Sequence, residues 1–160
     1  MSTTMEGIDA RGYLIGWLKG LVSMTSADIR AMPDDKWTVG MGGCTRPANA
    51  IVAETIGLLR WATGALRGET GNSDYSGGTD ELPTQAVAIQ KLEEVADEFC
   101  GALAAASDEA LAKEITPPWQ MPAPLFMIAQ IAVSHVWYHD GQLNYIQCLL
   151  GDEKVHWMGD

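Results

Sequence analysis

The sequence contains no uninterrupted run of about 18 apolar residues, so no transmembrane helix is expected. It lacks the basic start of a secretory signal: in MSTTMEGIDARGYLIGWLKG, Asp9, Arg11 and Lys19 break up any apolar stretch. A cytoplasmic location is the expectation. Positive charge is scarce, with 10 Lys plus Arg against 21 Asp plus Glu and a formal charge of −11. Such a surface repels phosphate backbones and anionic lipid, so neither nucleic acid nor a membrane is an expected partner. The acidic residues are scattered and read as a solvated surface. Cysteine is scarce too. Cys44, Cys100 and Cys148 are widely spaced and form no CxxC, which argues against a disulfide framework and a Cys-rich zinc site. Buried thiols in a reducing compartment are the default. Alternating apolar and polar runs are nearly absent, and with them the signal for a sheet.

What is present is helical periodicity. The chain has 160 residues, 47% of them hydrophobic, enough for one domain with a sizeable core, with residues 151–160 as a short tail. A first helix is expected over Gly7–Met32, where Leu14, Trp17, Leu18, Leu21 and Val22 recur at three- and four-residue intervals. Pro33 disfavours helical geometry at Met32 and ends it. After the glycine-rich loop KWTVGMGGCTRP, a second helix opens near Pro47, with Thr45 as its expected cap, and runs to Leu66 or Arg67 before Gly68. The polar connection ETGNSDYSGGTDELP leads to a third helix from Thr84 to about Ala106. Ser107–Ile115 can add a helical turn, and TPPWQMPAP is expected to be an extended, rigid crossover. The last helix spans Pro124–Leu150 and closes at Gly151. No internal repeat or domain break is visible. Four amphipathic helices, with long loops after the first two and a proline-rich crossover before the last, predict an all-α four-helix bundle.

Chemistry concentrates in SHVWYHDGQLNYIQCLL. At about 100° per residue, His135 and His139 point within roughly 40° of each other, alongside Ile128, Ala132, Gln142 and Ile146. Both rings therefore face the interior, and two neutral imidazoles at this spacing can share one metal ion. On the second helix, Glu54 interrupts an apolar stripe of Ala50, Ile51, Leu58, Trp61 and Ala65. An ionised carboxylate there must be protonated, paired or bound to a cation. It either reaches solvent, meets Arg60 or another base, or joins the histidines around a common cation. Bundle cores build metal sites from facing helices in this way.

The run HVWYHDGQLNYIQCLLGD resembles the last helix of DinB-like (YfiT-like) proteins, four-helix bundles with a histidine-rich metal site. His135, His139, Gly141 and Gln142 match that family's H-x3-H-x-G-Q pattern, TPPWQMPAPLF its proline-rich approach, and GLLRWATGALRG the end of its second helix. The likeness extends over nearly the whole chain. It implies a divalent ion (Zn, Ni, Fe or Mn) held by Glu54, His135 and His139, with Glu54 standing where the family usually has histidine. The added charge favours harder ions such as iron or manganese, although zinc and nickel accept the same set; the change is equally compatible with loss of the metal. It further implies a thiol-dependent transferase or metal-dependent hydrolase acting on a small molecule, a low-molecular-weight thiol as co-substrate, and a homodimer. Catalysis would run through metal-bound water or a thiolate, with Gln142 supporting the ligands or satisfying a buried backbone group.

Several residues mark the edges of this reading. HVWYH lacks the glutamate that follows the first histidine of zinc proteases, so peptidase activity is not expected. Asp140, about 100° from His139, is read as a surface or supporting group. Trp61 is read mainly as core packing, Trp137 and Tyr138 as contacts to neighbouring helices or a second subunit, Cys44 as a non-nucleophile, and His156 as exposed. Two further readings stand beside an enzyme: a non-catalytic metal-binding or ligand-sensing bundle, and a structural bundle with a hydrogen-bonded His–Glu core.

Overall fold

A computed structural model describes residues 9–69, 75 and 77–158. The expected start of the first helix at Gly7, most of the glycine-rich stretch after Glu69 and the last two tail residues lie outside these. Helix α1 spans Ala10–Ala31, and the Asp9 carboxylate caps it by accepting from the Gly12 N–H at 2.9 Å. It buries Leu14, Leu18, Leu21, Val22, Thr25 and Ile29, and it stops where Met32 turns extended before Pro33.

Helix α2 spans Ala48–Leu66, with Pro47 at the cap position itself. Thr45 does not cap it; its hydroxyl donates to the Gly42 carbonyl at 2.7 Å and closes the glycine-rich turn. Gly68, at a φ of 76°, supplies the left-handed residue that ends α2. Helix α3 spans Gln85–Ala105 behind a Thr84 cap, and the short α4, Asp108–Ala112, starts at Ser107.

The proline-rich crossover is not simply extended. Its flanks, β1 (Glu114–Ile115) and β2 (Ala123–Pro124), pair antiparallel, with Glu114 opposite Pro124 and Ile115 opposite Ala123. Trp119 folds back onto Trp61 and Tyr75, with ring centroids 5.8 and 6.1 Å away. Helix α5 then runs over Leu125–Leu149, with Gly151 in the left-handed region at 87° just beyond it.

Each of α1 and α2 packs against both α3 and α5, which puts α1 and α2 on one diagonal of the bundle. End contacts set the directions. The Gln85 amide donates to the Met32 carbonyl at 2.9 Å, and the Asn49 N–H donates to the Trp37 carbonyl at 3.0 Å. The C-terminus of α1 thus meets the N-termini of α2 and α3. Gln147 and Asn144, late in α5, reach Asp28, late in α1, each at 2.9 Å. So α1 and α5 run one way while α2 and α3 run the other. The core between them includes Leu18, Ile29, Leu59, Leu92, Phe99, Leu103 and Leu143, all fully buried. No described helix is long and apolar enough to cross a membrane. Of the thiols, only Cys100 is buried; Cys44 and Cys148 are exposed, against the expectation from composition, because each falls on a loop or an outward helix position.

Candidate metal centre

Because α2 and α5 are neighbours, Glu54 looks across at His135 and His139, one helical turn apart on α5. One donor atom from each residue lies within 4.8 Å of the others. The two histidine Nε2 atoms are 3.1 Å apart. Glu54 Oε1 stands 3.7 Å from His135 Nε2, and Oε2 stands 3.7 Å from His139 Nε2. His139 is only 2% exposed, while the side chains of His135 and Glu54 keep 19% and 23% of their surface, so the cluster is sealed inside and open at one edge.

The donor set fits a divalent cation. Two imidazole nitrogens that each bind one ion at about 2.0–2.1 Å stand roughly 3–3.4 Å apart, which brackets the spacing of the two rings. His139 Nδ1 is 2.7 Å from Gln142 Oε1. A carbonyl oxygen only accepts, so the ring proton sits on Nδ1 and the Nε2 lone pair faces the cluster. His135 Nδ1 is buried with no hydrogen-bond partner among the described residues, so nothing there holds its tautomer.

Both rings are held in the neutral form. Burial, then the neighbouring His139 ring, then Arg46 push His135 down to about 4. Burial likewise lowers His139; the Gln142 hydrogen bond opposes this and Arg46 reinforces it. Neutral imidazole is the metal-binding form.

Sequence reasoning missed Arg46. From the loop just before α2, its guanidinium donates to Glu54 Oε2. Glu54 is thus paired with a base, but not with Arg60, which instead bonds Glu81 at 3.2 Å, as does Lys91 at 2.9 Å. The signal for Arg46 was slight: a lone cation eight residues before Glu54, outside any periodic pattern.

Other expectations fare differently. Gln142 contacts His139 directly. Asp140 is not at the surface; it is buried between α5 and α1 beside Asp28, away from the cluster. Tyr138 is exposed, and its ring sits against His139 and His135, with centroids 5.1 and 6.2 Å away, so it screens the rings from solvent. Trp137 is exposed and packs edge-on against Trp17 of α1. His156 is half-buried and bonds Asp152 at 2.8 Å, far from any ligand role. A cavity of about 1250 Å³ is lined by Arg60 and Trp61 of α2 and by Ile115. None of the three candidate ligands lines it, so Trp61 walls that cleft and not the cluster.

No family model matches the sequence, and no curated protein matches it either. Solved structures do. A DinB-like protein from Bacillus subtilis (YjoA) superposes with a TM-score of 0.64 at 14% identity, over 89% of this chain and 94% of that one. A mycothiol-dependent maleylpyruvate isomerase superposes with a TM-score of 0.63 at 14% identity over 83% of this chain, and a variant of it with 0.62 at 16%. This chain spans only 60% of the isomerase. These superpositions show that the chain has the DinB/YfiT-like fold.

Proposed function

We propose that the chain is a divalent-metal protein of the two-histidine, one-carboxylate type that works on a small molecule with a low-molecular-weight thiol as co-substrate. The convergence of Glu54, His135 and His139 on one point, with Gln142 turning the His139 lone pair towards it, carries this reading. The thiol is suggested by a neighbour named as mycothiol-dependent. Three protein donors leave open positions, and an ion held there supplies Lewis acidity towards a thiol or a carbonyl oxygen. The chain's own part is to bind and orient. Glu54 brings the negative charge, the two rings stay neutral, and Gln142 keeps the Nδ1 proton of His139 in place. Tyr138 covers the outer side of the rings and limits access of water.

The Arg46–Glu54 pair favours a second reading, a bundle that no longer needs a metal, because the guanidinium already satisfies the carboxylate. Metal analysis separates the two. One equivalent of divalent metal is expected after purification or after loading with zinc or manganese, and Glu54→Ala should lose most of it. A wild-type protein that folds normally and takes up no metal supports the structural bundle. Turnover of electrophiles in the presence of thiols then distinguishes an enzyme from a ligand-sensing protein.

A further inference from the structure

Arg46 stands at the open edge of the cluster. Its side chain is 45% exposed, and its one ion pair among the described residues is with Glu54. The backbone beneath it forms a tight turn. Gly42 and Gly43 adopt φ values of 101° and 59°, and the Thr45 N–H closes the turn on the Gly42 carbonyl at 3.2 Å. Pro47 follows directly as the cap of α2. An ion pair this exposed is weakly held.

Charge decides what it does. Glu54 and Arg46 pair one charge of each sign at the edge of the cluster. Arg46 already bonds Glu54 Oε2, so it would be displaced and repelled by a divalent ion held at the same carboxylate. The cluster would then carry excess positive charge at an edge open to solvent. Such a place attracts a small anion, and a guanidinium binds a carboxylate through paired N–H donors.

Resting on the metal reading above, we propose that Arg46 is a displaceable counter-ion of the metal centre: it holds Glu54 while no cation is bound and, once released, anchors the carboxylate of a small-molecule substrate beside the ion. Arg46 is thus a specificity-determining residue and the substrate class is a carboxylic acid.

Zinc affinity by equilibrium dialysis and acetate binding to the zinc-loaded protein by calorimetry test this in the wild type, Arg46→Gln and Arg46→Lys. Removing the competing cation should tighten zinc binding about fivefold in Arg46→Gln, the upper range of an exposed ion pair. The same variant should bind acetate about tenfold more weakly, a difference that direct coordination of acetate to zinc would not produce. Arg46→Lys keeps the charge and should fall between. Equal zinc affinity in wild type and Arg46→Gln, or acetate binding unchanged between them, overturns the role given to Arg46 and leaves the metal reading standing. Failure of the wild type to bind zinc overturns both.

Discussion

At His139 the Gln142 oxygen accepts from Nδ1 at 2.7 Å, and that one contact sets which nitrogen lone pair reaches the cluster. Replacing Gln142 by leucine keeps the bulk and removes the acceptor. Zinc affinity should then fall about 10- to 100-fold, the usual loss when the partner of a metal-binding histidine is removed. Nitrogen NMR of the His139 ring in the metal-free variant should show the Nδ1–H form depleted; an unchanged ring spectrum and affinity would count against the tautomer argument. The convergence of Glu54, His135 and His139 was legible in the sequence because helical periodicity fixes direction. His135 and His139 share a stripe, and Glu54 breaks an apolar one. Arg46 was not legible, because a loop residue's reach depends on a turn that spacing does not encode. Asp140 was misread for a related reason. Its angle from His139 was right, but the wheel does not say that α1 and Asp28 lie in that direction.

Between elements, Trp37 joins three helices at one end of the bundle. It is 1% exposed, its carbonyl accepts from Asn49 at the start of α2, and its indole N–H donates to the Leu82 carbonyl at 2.9 Å ahead of α3. Trp37→Phe leaves that buried carbonyl without its donor and removes ring volume as well. Urea unfolding should show a loss of about 1–3 kcal/mol with an unchanged slope; a loss within error would mean that the indole hydrogen bond contributes nothing net. The long helices themselves were readable from three- and four-residue periodicity, with most described ends off by one residue because local caps such as Thr84 set the final turn. The β1–β2 pair was not readable. Two residues per strand leave no alternation to detect, and their pairing depends on the fold-back of Trp119 onto α2. Nor does periodicity choose which helices share a diagonal, since every amphipathic face fits several neighbours.

Across the whole molecule, two buried titratable groups pull stability in opposite directions with pH. Asp28 and Asp140 are 0% and 3% exposed between α1 and α5, with Asn144 and Thr25 beside them and His156 and Asp152 nearby. Burial raises both; at Asp140 the Asp28 charge adds to it and takes the group from 3.8 to about 7, while at Asp28 hydrogen bonds with Asn144 and Asp140 oppose the rise, so the pair is stable holding a shared proton. A raised carboxyl stabilises the fold fully below its unfolded value, and that contribution is lost as pH rises through the folded one. The buried histidines run the other way. His135, lowered from 6.5 to about 4, contributes most above 6.5 and loses its contribution as pH falls towards 4. From about pH 4 to 6.5 the two slopes oppose each other; the histidine contribution levels off about a unit above 6.5. Between pH 6 and pH 8 chelator-treated protein should therefore lose the stabilising contribution of the protonated Asp28–Asp140 pair. Asp140→Asn removes the charge at nearly constant volume, so the variant should hold its stability between those two pH values and exceed the wild type at pH 8. Parallel declines in the two proteins, measured by urea unfolding, would place the source of the pH dependence outside the Asp28–Asp140 pair.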